Sequence, residues 1–161
     1  ELENTEPHLH FVLIGSGSCR DELMAASEDL ANVSFIREQP RENIPAFLSL
    51  SDVNVVPLRP RKDSHTVPSK IFEYMASGRP LLLSADGEPA RLLRESRGGL
   101  HSPAGDRKRL LRNIRRLSLD TPLRTESGRN ARRYVEAEYN RQELNRRFMA
   151  LLTSVVDEPT S

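Results

Sequence analysis

Residues 64–80, Ser-His-Thr-Val-Pro-Ser-Lys-Ile-Phe-Glu-Tyr-Met-Ala-Ser-Gly-Arg-Pro, gather the side chains of this sequence best suited to chemistry. Pro68 suits the first turn of a helix, where its missing N–H would have gone unpaired anyway. A helix starting there leaves the N–H groups of Ser69, Lys70 and Ile71 open. It also offers the Ser69 hydroxyl and the positive end of its dipole. Such a terminus binds anions, phosphates among them. Lys70 is one of three lysines against 21 arginines, and a compact ammonium suits a phosphate group. Glu73, one turn further on, could accept hydrogen bonds from the vicinal hydroxyls of a ribose. Helical spacing puts Lys70, Glu73 and Ser77 on one arc and Ile71, Phe72, Met75 and Ala76 on the other, facing a sheet. The same residues also describe a capped amphipathic helix with Lys70 and Glu73 as a solvated i, i+3 pair. Residue chemistry alone leaves both readings open.

An anion-binding helix needs a sheet edge behind it, and the rest of the chain supplies one. Short apolar runs alternate with helical patterns, as in a parallel sheet covered on both faces. Residues 10–14 read as a buried strand ending at Gly15-Ser16-Gly17, and residues 20–31 as a helix with Leu23, Ala26 and Leu30 on one face. Residues 33–36 are a second strand, about 43–50 a short helix, and 53–57 a third strand. Residues 58–67 are polar and proline-broken, so they form a loop at that strand's carboxyl end. The helix from Pro68 stops at Gly78, with Pro80 just beyond. Residues 81–84 and 99–101 are two further strands, with a helix opened by Gly87 between them. After Gly105 the pattern is helical throughout: 106–118, 122–137 and 141–156. The expectation is one doubly wound, Rossmann-like α/β domain over residues 1–161, with about five parallel strands, helices on both faces and a helical C-terminal tail. Residues 1–7 read as a helix end and a turn with no strand ahead of them. A doubly wound sheet opens on a strand and a phosphate-facing turn, so the first βα unit is expected to be missing.

Composition narrows the function classes. The 161 residues carry a net charge of +1, with 37% hydrophobic and 29% charged residues, the balance of a globular domain. No run is apolar enough to span a membrane and no leader opens the chain, so a cytoplasmic protein is expected. One cysteine, Cys19, excludes a disulfide framework; at a helix start it reads as a small residue near a turn. His8, His10, His65 and His101 lack metal-ligand spacing. The charge is unevenly spread: residues 1–90 hold 8 basic and 14 acidic side chains, residues 91–161 hold 16 and 9. With only Tyr134, Tyr139 and Phe148 as aromatics in the basic part, base stacking has little support and no nucleic-acid partner is expected. Arg107, Lys108, Arg109, Arg112, Arg115 and Arg116 could meet a membrane surface, while Leu110, Leu111, Ile114 and Leu117 pack on the domain.

The segment Val67 to Pro80 resembles the donor-site signature of the family-4 glycosyltransferases of GT-B fold, in a proline-serine-lysine branch linked to bacterial surface polysaccharides. The resemblance covers about residues 8–152. Phe11 to Gly17 resembles the family's glycine turn, and Asn32 to Ile36 and Ser51 to Pro57 its next strands. Asp86-Gly87-Glu88 and Gly128-Arg129-Asn130-Ala131-Arg132 resemble later elements. The resemblance implies that Pro68, Ser69, Lys70 and Ile71 cradle a donor diphosphate and that Glu73 holds the ribose. Backbone near Ile36 and Arg37 would meet the nucleobase, and Gly15 and Gly17 approach the phosphates; a strand-to-helix glycine turn also occurs without any ligand. Many relatives carry two glutamates separated by seven residues. Here the later one is Glu73 and the earlier position is His65, and the proline-serine-lysine branch often lacks that first glutamate.

The function so implied is the donor-binding half of a retaining glycosyltransferase acting on a nucleoside-diphosphate sugar, in surface polysaccharide or glycoconjugate synthesis. Catalysis would rest on Glu73 and Lys70, and the helix terminus and lysine would neutralise the diphosphate without a metal or cofactor. An acceptor domain is expected before Glu1, and the fragment alone should be inactive. Peripheral contact with the inner face of the cell membrane stays open. Two other readings are a GT-B sugar-nucleotide epimerase and a non-catalytic nucleotide-binding or interaction module.

Overall fold

The computed structural model describes residues 2–60 and 66–156. The chain divides into two compact units, Glu1–Phe47 and Leu48–Ser161. Five strands lie at the positions the apolar runs predict, and every pairing is parallel. They form two sheets, one of two strands and one of three, where the alternating pattern had suggested one sheet. Apolar periodicity marks strands but does not specify which of them pair.

In the first unit, α1 (Leu2–Thr5) precedes β1 (Phe11–Ile14), α2 (Arg20–Ala26) and β2 (Val33–Ile36). β1 and β2 pair in register from Phe11 against Val33 to Ile14 against Ile36. The expectation of a buried first strand fails: Val12 is 52% exposed and Ile14 36%. β1 alternates between half-buried and exposed positions, so its outward face lies in solvent. The helix predicted over residues 20–31 ends at Ala26 instead. The Ser27 hydroxyl donates to the carbonyl oxygens of Leu23 (2.7 Å) and Met24 (3.3 Å), a local bond that competes with helix continuation. Leu30 therefore lies beyond the helix, and Leu23 is 47% exposed.

The second unit holds the core. A 3-10 turn (Arg41–Asn43) and α3 (Ile44–Leu50) lead to it. It contains β3 (Asn54–Pro57), α4 (Ser69–Ala76), β4 (Leu81–Ser84), α5 (Glu88–Ser96) and β5 (Gly99–Ser102). Three helices follow: α6 (Arg107–Leu119), α7 (Thr121–Glu138) and α8 (Arg141–Val156). β4 is central, paired with β3 and β5. All four of its residues are buried, so helices cover both faces of the sheet. Val56, Ile71, Met75, Leu81, Leu83, Leu92, Leu93 and Ala131 form one apolar cluster joining β3, α4, β4, α5 and α7. Close backbone approaches set the spacing. A Cβ at Gly99 would lie 1.8 Å from the Leu81 carbonyl oxygen, so β5 accepts only glycine there.

Candidate functional site

α4 is the next described element after the carboxyl end of β3, the edge of the sheet at which α/β folds bind ligands. Pro68 occupies the position before the helix rather than its first turn, with an extended backbone (φ −60°, ψ 134°). The Ile71 N–H, expected to be open, donates to the Pro68 carbonyl oxygen at 3.0 Å. With Pro68 extended, its carbonyl lines up with the N–H three residues on. The Ile71 side chain is fully buried. Two N–H groups therefore remain open at this terminus among the described residues, those of Ser69 and Lys70. The side chains of Ser69 and Lys70 are exposed beside them, and Glu73 is exposed one turn along.

The core side of α4 follows its apolar arc. Ile71 and Met75 are completely buried, and Phe72 is half-buried, its ring 4.6 Å from that of Tyr139. Ala76, predicted to face the sheet, is exposed, and Ser77, predicted to share the arc of Lys70 and Glu73, is turned inward. Ser77 sits at the C-cap, where the helical phase no longer holds. Its hydroxyl donates to the Tyr74 carbonyl oxygen (2.6 Å) and accepts from the Asn54 side-chain amide (3.1 Å). Asn54 in turn accepts from the Ser51 hydroxyl at 2.9 Å. This part-buried relay ties the end of α4 to the start of β3. Gly78 continues in the left-handed region (φ 74°), and Arg79 donates through Nε to the Ser49 carbonyl oxygen at 3.0 Å. Burial, and secondarily the Glu73 carboxylate, raise the Tyr74 pKa above the usual phenol value.

The neighbouring strand ends are also pinned. Asp86 accepts from the Ala104 N–H (3.3 Å), and the His101 ring meets the Ala85 carbonyl oxygen at 2.7 Å. These bonds give Asp86 and His101 structural partners. The sequence offered no signal for the Ser51–Asn54–Ser77 relay, because its members are polar residues without a motif.

The remaining expected site residues belong to the first unit. Gly15 (φ 143°) takes a conformation that favours glycine, and its N–H donates to the Ile36 carbonyl oxygen at 3.1 Å. The Ser16 hydroxyl donates to Glu38. The Gly17 carbonyl accepts from the Arg20 N–H (2.9 Å), and open space surrounds the position of a Cβ at Gly17. Arg37 is exposed, and its carbonyl oxygen accepts from the Gln39 side chain at 3.1 Å. The carbonyls of Ile36 and Arg37 thus already have partners within the unit. His65 lies outside the described residues. Among the described residues no group of three His, Cys, Asp or Glu side chains is arranged to hold a metal. No described helix is long and apolar enough to cross a membrane.

Parallel strands covered by helices define a Rossmann-like α/β protein. Residues 1–120 match the model of the glycosyl transferases group 1, and the chain belongs to that family. No curated protein matches it in sequence. Its fold is that of solved GT-B glycosyltransferases. S. aureus TarM, solved in a complex that includes UDP, is 18% identical with a TM-score of 0.79, over 93% of this chain and 30% of its own. HepE from Anabaena, solved with UDP-glucose, is 19% identical (TM-score 0.77; 92% and 42%). Sucrose-phosphate synthase from Thermosynechococcus elongatus is 23% identical (TM-score 0.75; 90% and 38%). The chain spans less than half the length of each.

Proposed function

We propose that this chain is the donor-binding half of a retaining glycosyltransferase of family 4, in its proline-serine-lysine branch, serving surface polysaccharide or glycoconjugate synthesis. The donor is a nucleoside-diphosphate sugar, and the acceptor is held by a domain N-terminal to this chain, so the chain alone transfers no sugar. The carrying observation is the start of α4, where the open N–H groups of Ser69 and Lys70 stand beside an exposed ammonium, with exposed Glu73 one turn along. Family membership, and relatives solved with UDP or UDP-glucose, support the same reading.

In the reaction the acceptor hydroxyl oxygen bonds to the anomeric carbon as the bond from that carbon to the phosphate oxygen breaks, and the hydroxyl proton passes to that departing oxygen. The diphosphate departs with the electron pair. Preorganised donors aimed at that growing charge stabilise the transition state more than the ground state. The two N–H groups, the helix dipole and Lys70 perform this role, and no metal is needed for it. Glu73 orients the donor by accepting from the ribose hydroxyls. In sequence, His65 takes the position at which many relatives carry the first glutamate. The enzyme works in the cytoplasm.

Calorimetric titration with UDP, GDP and ADP tests the reading. One nucleoside diphosphate should bind, and Lys70→Ala should weaken it. Absence of binding by all three, or binding unchanged in Lys70→Ala, would remove the donor site from α4.

A further inference from the structure

On α5, α7 and α8 several arginines meet a carboxylate of their own helix. Arg91 meets Glu88 and Glu95 on α5, Arg132 meets Glu136 on α7, and Arg146 and Arg147 share Glu143 on α8. α6 offers its cations no carboxylate of its own. Its sequence, Arg-Lys-Arg-Leu-Leu-Arg-Asn-Ile-Arg-Arg-Leu-Ser-Leu, has six cationic residues and no acidic one. The flanking carboxylates are used as caps: Asp106 accepts from the Arg109 N–H and Asp120 from the Leu123 N–H, each at 2.9 Å. Lys108, Arg109, Arg112 and Arg116 are exposed and make no ion pair among the described residues.

The four cations are also gathered on one side. At 100° per residue, Lys108, Arg112, Arg116 and Arg109 fall within an arc about 100° wide. Leu117 is buried and Leu110, Leu111 and Ile114 are half-buried on the opposite arc, so packing fixes which face looks outward. Leu119 lies within the cationic arc, between Lys108 and Arg112, and is 74% exposed. Like charges crowded on one helix repel one another, and an exposed leucine among them gains nothing from water. Both features make sense together against a surface that is anionic outside and apolar just beneath.

We propose that the outer face of α6 docks the protein on an anionic phospholipid bilayer, with Lys108, Arg109, Arg112 and Arg116 at the headgroup phosphates and Leu119 entering the acyl boundary. Nucleic acid would satisfy the charges but not Leu119, and the arc carries no aromatic side chain to stack on bases. The surface is distinct from the start of α4, so the proposal stands or falls independently of the donor site.

The test is co-sedimentation of the full chain with large vesicles of phosphatidylcholine alone, or with about a third phosphatidylglycerol. Binding is expected only to the anionic vesicles, and it should disappear in high salt as screening shortens. Each cation near such a surface contributes about five-fold in affinity. Replacing all four by Gln should therefore weaken binding several hundred-fold, and the Arg112→Gln, Arg116→Gln pair about 25-fold, by the same scale. The pair serves if the fourfold variant does not fold. Leu119→Ser should weaken vesicle binding and leave binding to heparin unchanged. Vesicle binding unaltered in a folded Gln variant, no binding by the wild type at low salt, or tighter binding to single-stranded RNA than to anionic vesicles would each overturn the proposal.

Discussion

The backbone of Gly128 on α7 rests directly against the carbonyl of Gly78, so that a Cβ at Gly128 would stand 2.1 Å from the Gly78 oxygen. Gly78 closes α4 in a left-handed conformation, and its contact with α7 holds the end of the helix whose start is the candidate anion site.

Gly128→Ala should accordingly be costly. A methyl group there must push α7 off the α4 turn, an overpacking worth about 1–3 kcal/mol. The expected loss in melting temperature is about 2–12 °C for a chain of this size. Alanine is otherwise the better helix residue by about 1 kcal/mol, so an unchanged or raised melting temperature would show that the contact does not hold the two helices.

Glu73→Gln and Lys70→Gln should separate binding from stability. Both side chains are exposed on the outer arc of α4, where substitutions stay within about 0.5 kcal/mol of the wild type. In the intact transferase each should raise the donor KM or remove activity, at nearly constant melting temperature. The Lys70 effect should shrink with added salt. Normal donor kinetics in both variants would favour a solvated pair over a site.

The Asn54 relay predicts a loss of stability without direct contact with substrate. Asn54 is 6% exposed and joins Ser51 to Ser77. Asn54→Ala removes two hydrogen bonds and leaves a small void, at a cost of about 2 kcal/mol. The melting temperature should drop by about 4–8 °C, measured by circular dichroism. Donor affinity per folded molecule should weaken far less than in Lys70→Gln.

Tyr134 predicts an alkaline limit. Its burial, with Tyr139 and the hydrogen bond to Glu95 adding to it, pushes the phenol up to about 12. The unfolded chain loses this proton near pH 10, so the folded state binds more protons between the two values. Stability from this group is complete below pH 10 and is lost as pH rises towards 12. Tyr134→Phe should flatten the decline in melting temperature over pH 10–12. An equally steep decline in the variant would assign it to other groups.

Much of the local structure was legible in the residues themselves. The apolar runs at 11–14, 33–36, 54–57 and 81–84 mark strands because alternation and bulk are properties of neighbouring residues. α4 was legible down to its stop, since Ser77-Gly78 with Pro80 beyond is local chemistry. The segment from Val67 to Pro80 also pointed to the glycosyltransferase family, which the match over residues 1–120 supports.

Tertiary structure decided what depends on residues far apart in the chain. Ser77 turns inward at the end of α4, where its hydroxyl oxygen accepts from the side-chain amide of Asn54, 23 residues earlier. Phe72 is covered by Tyr139, and the end of α4 is fixed by Gly128, and no periodicity encodes either pairing. β1 reads as a core strand but stays half-exposed, because burial needs a partner surface that an apolar run cannot specify. The number of open N–H groups at α4 falls to two through the ψ angle of Pro68, a torsion that residue type leaves free between helical and extended values. Sequence by itself determined which elements form and which chemistry they carry, since caps and periodicity act within a few residues. Burial, register and the donors left free were decided only when distant segments packed together.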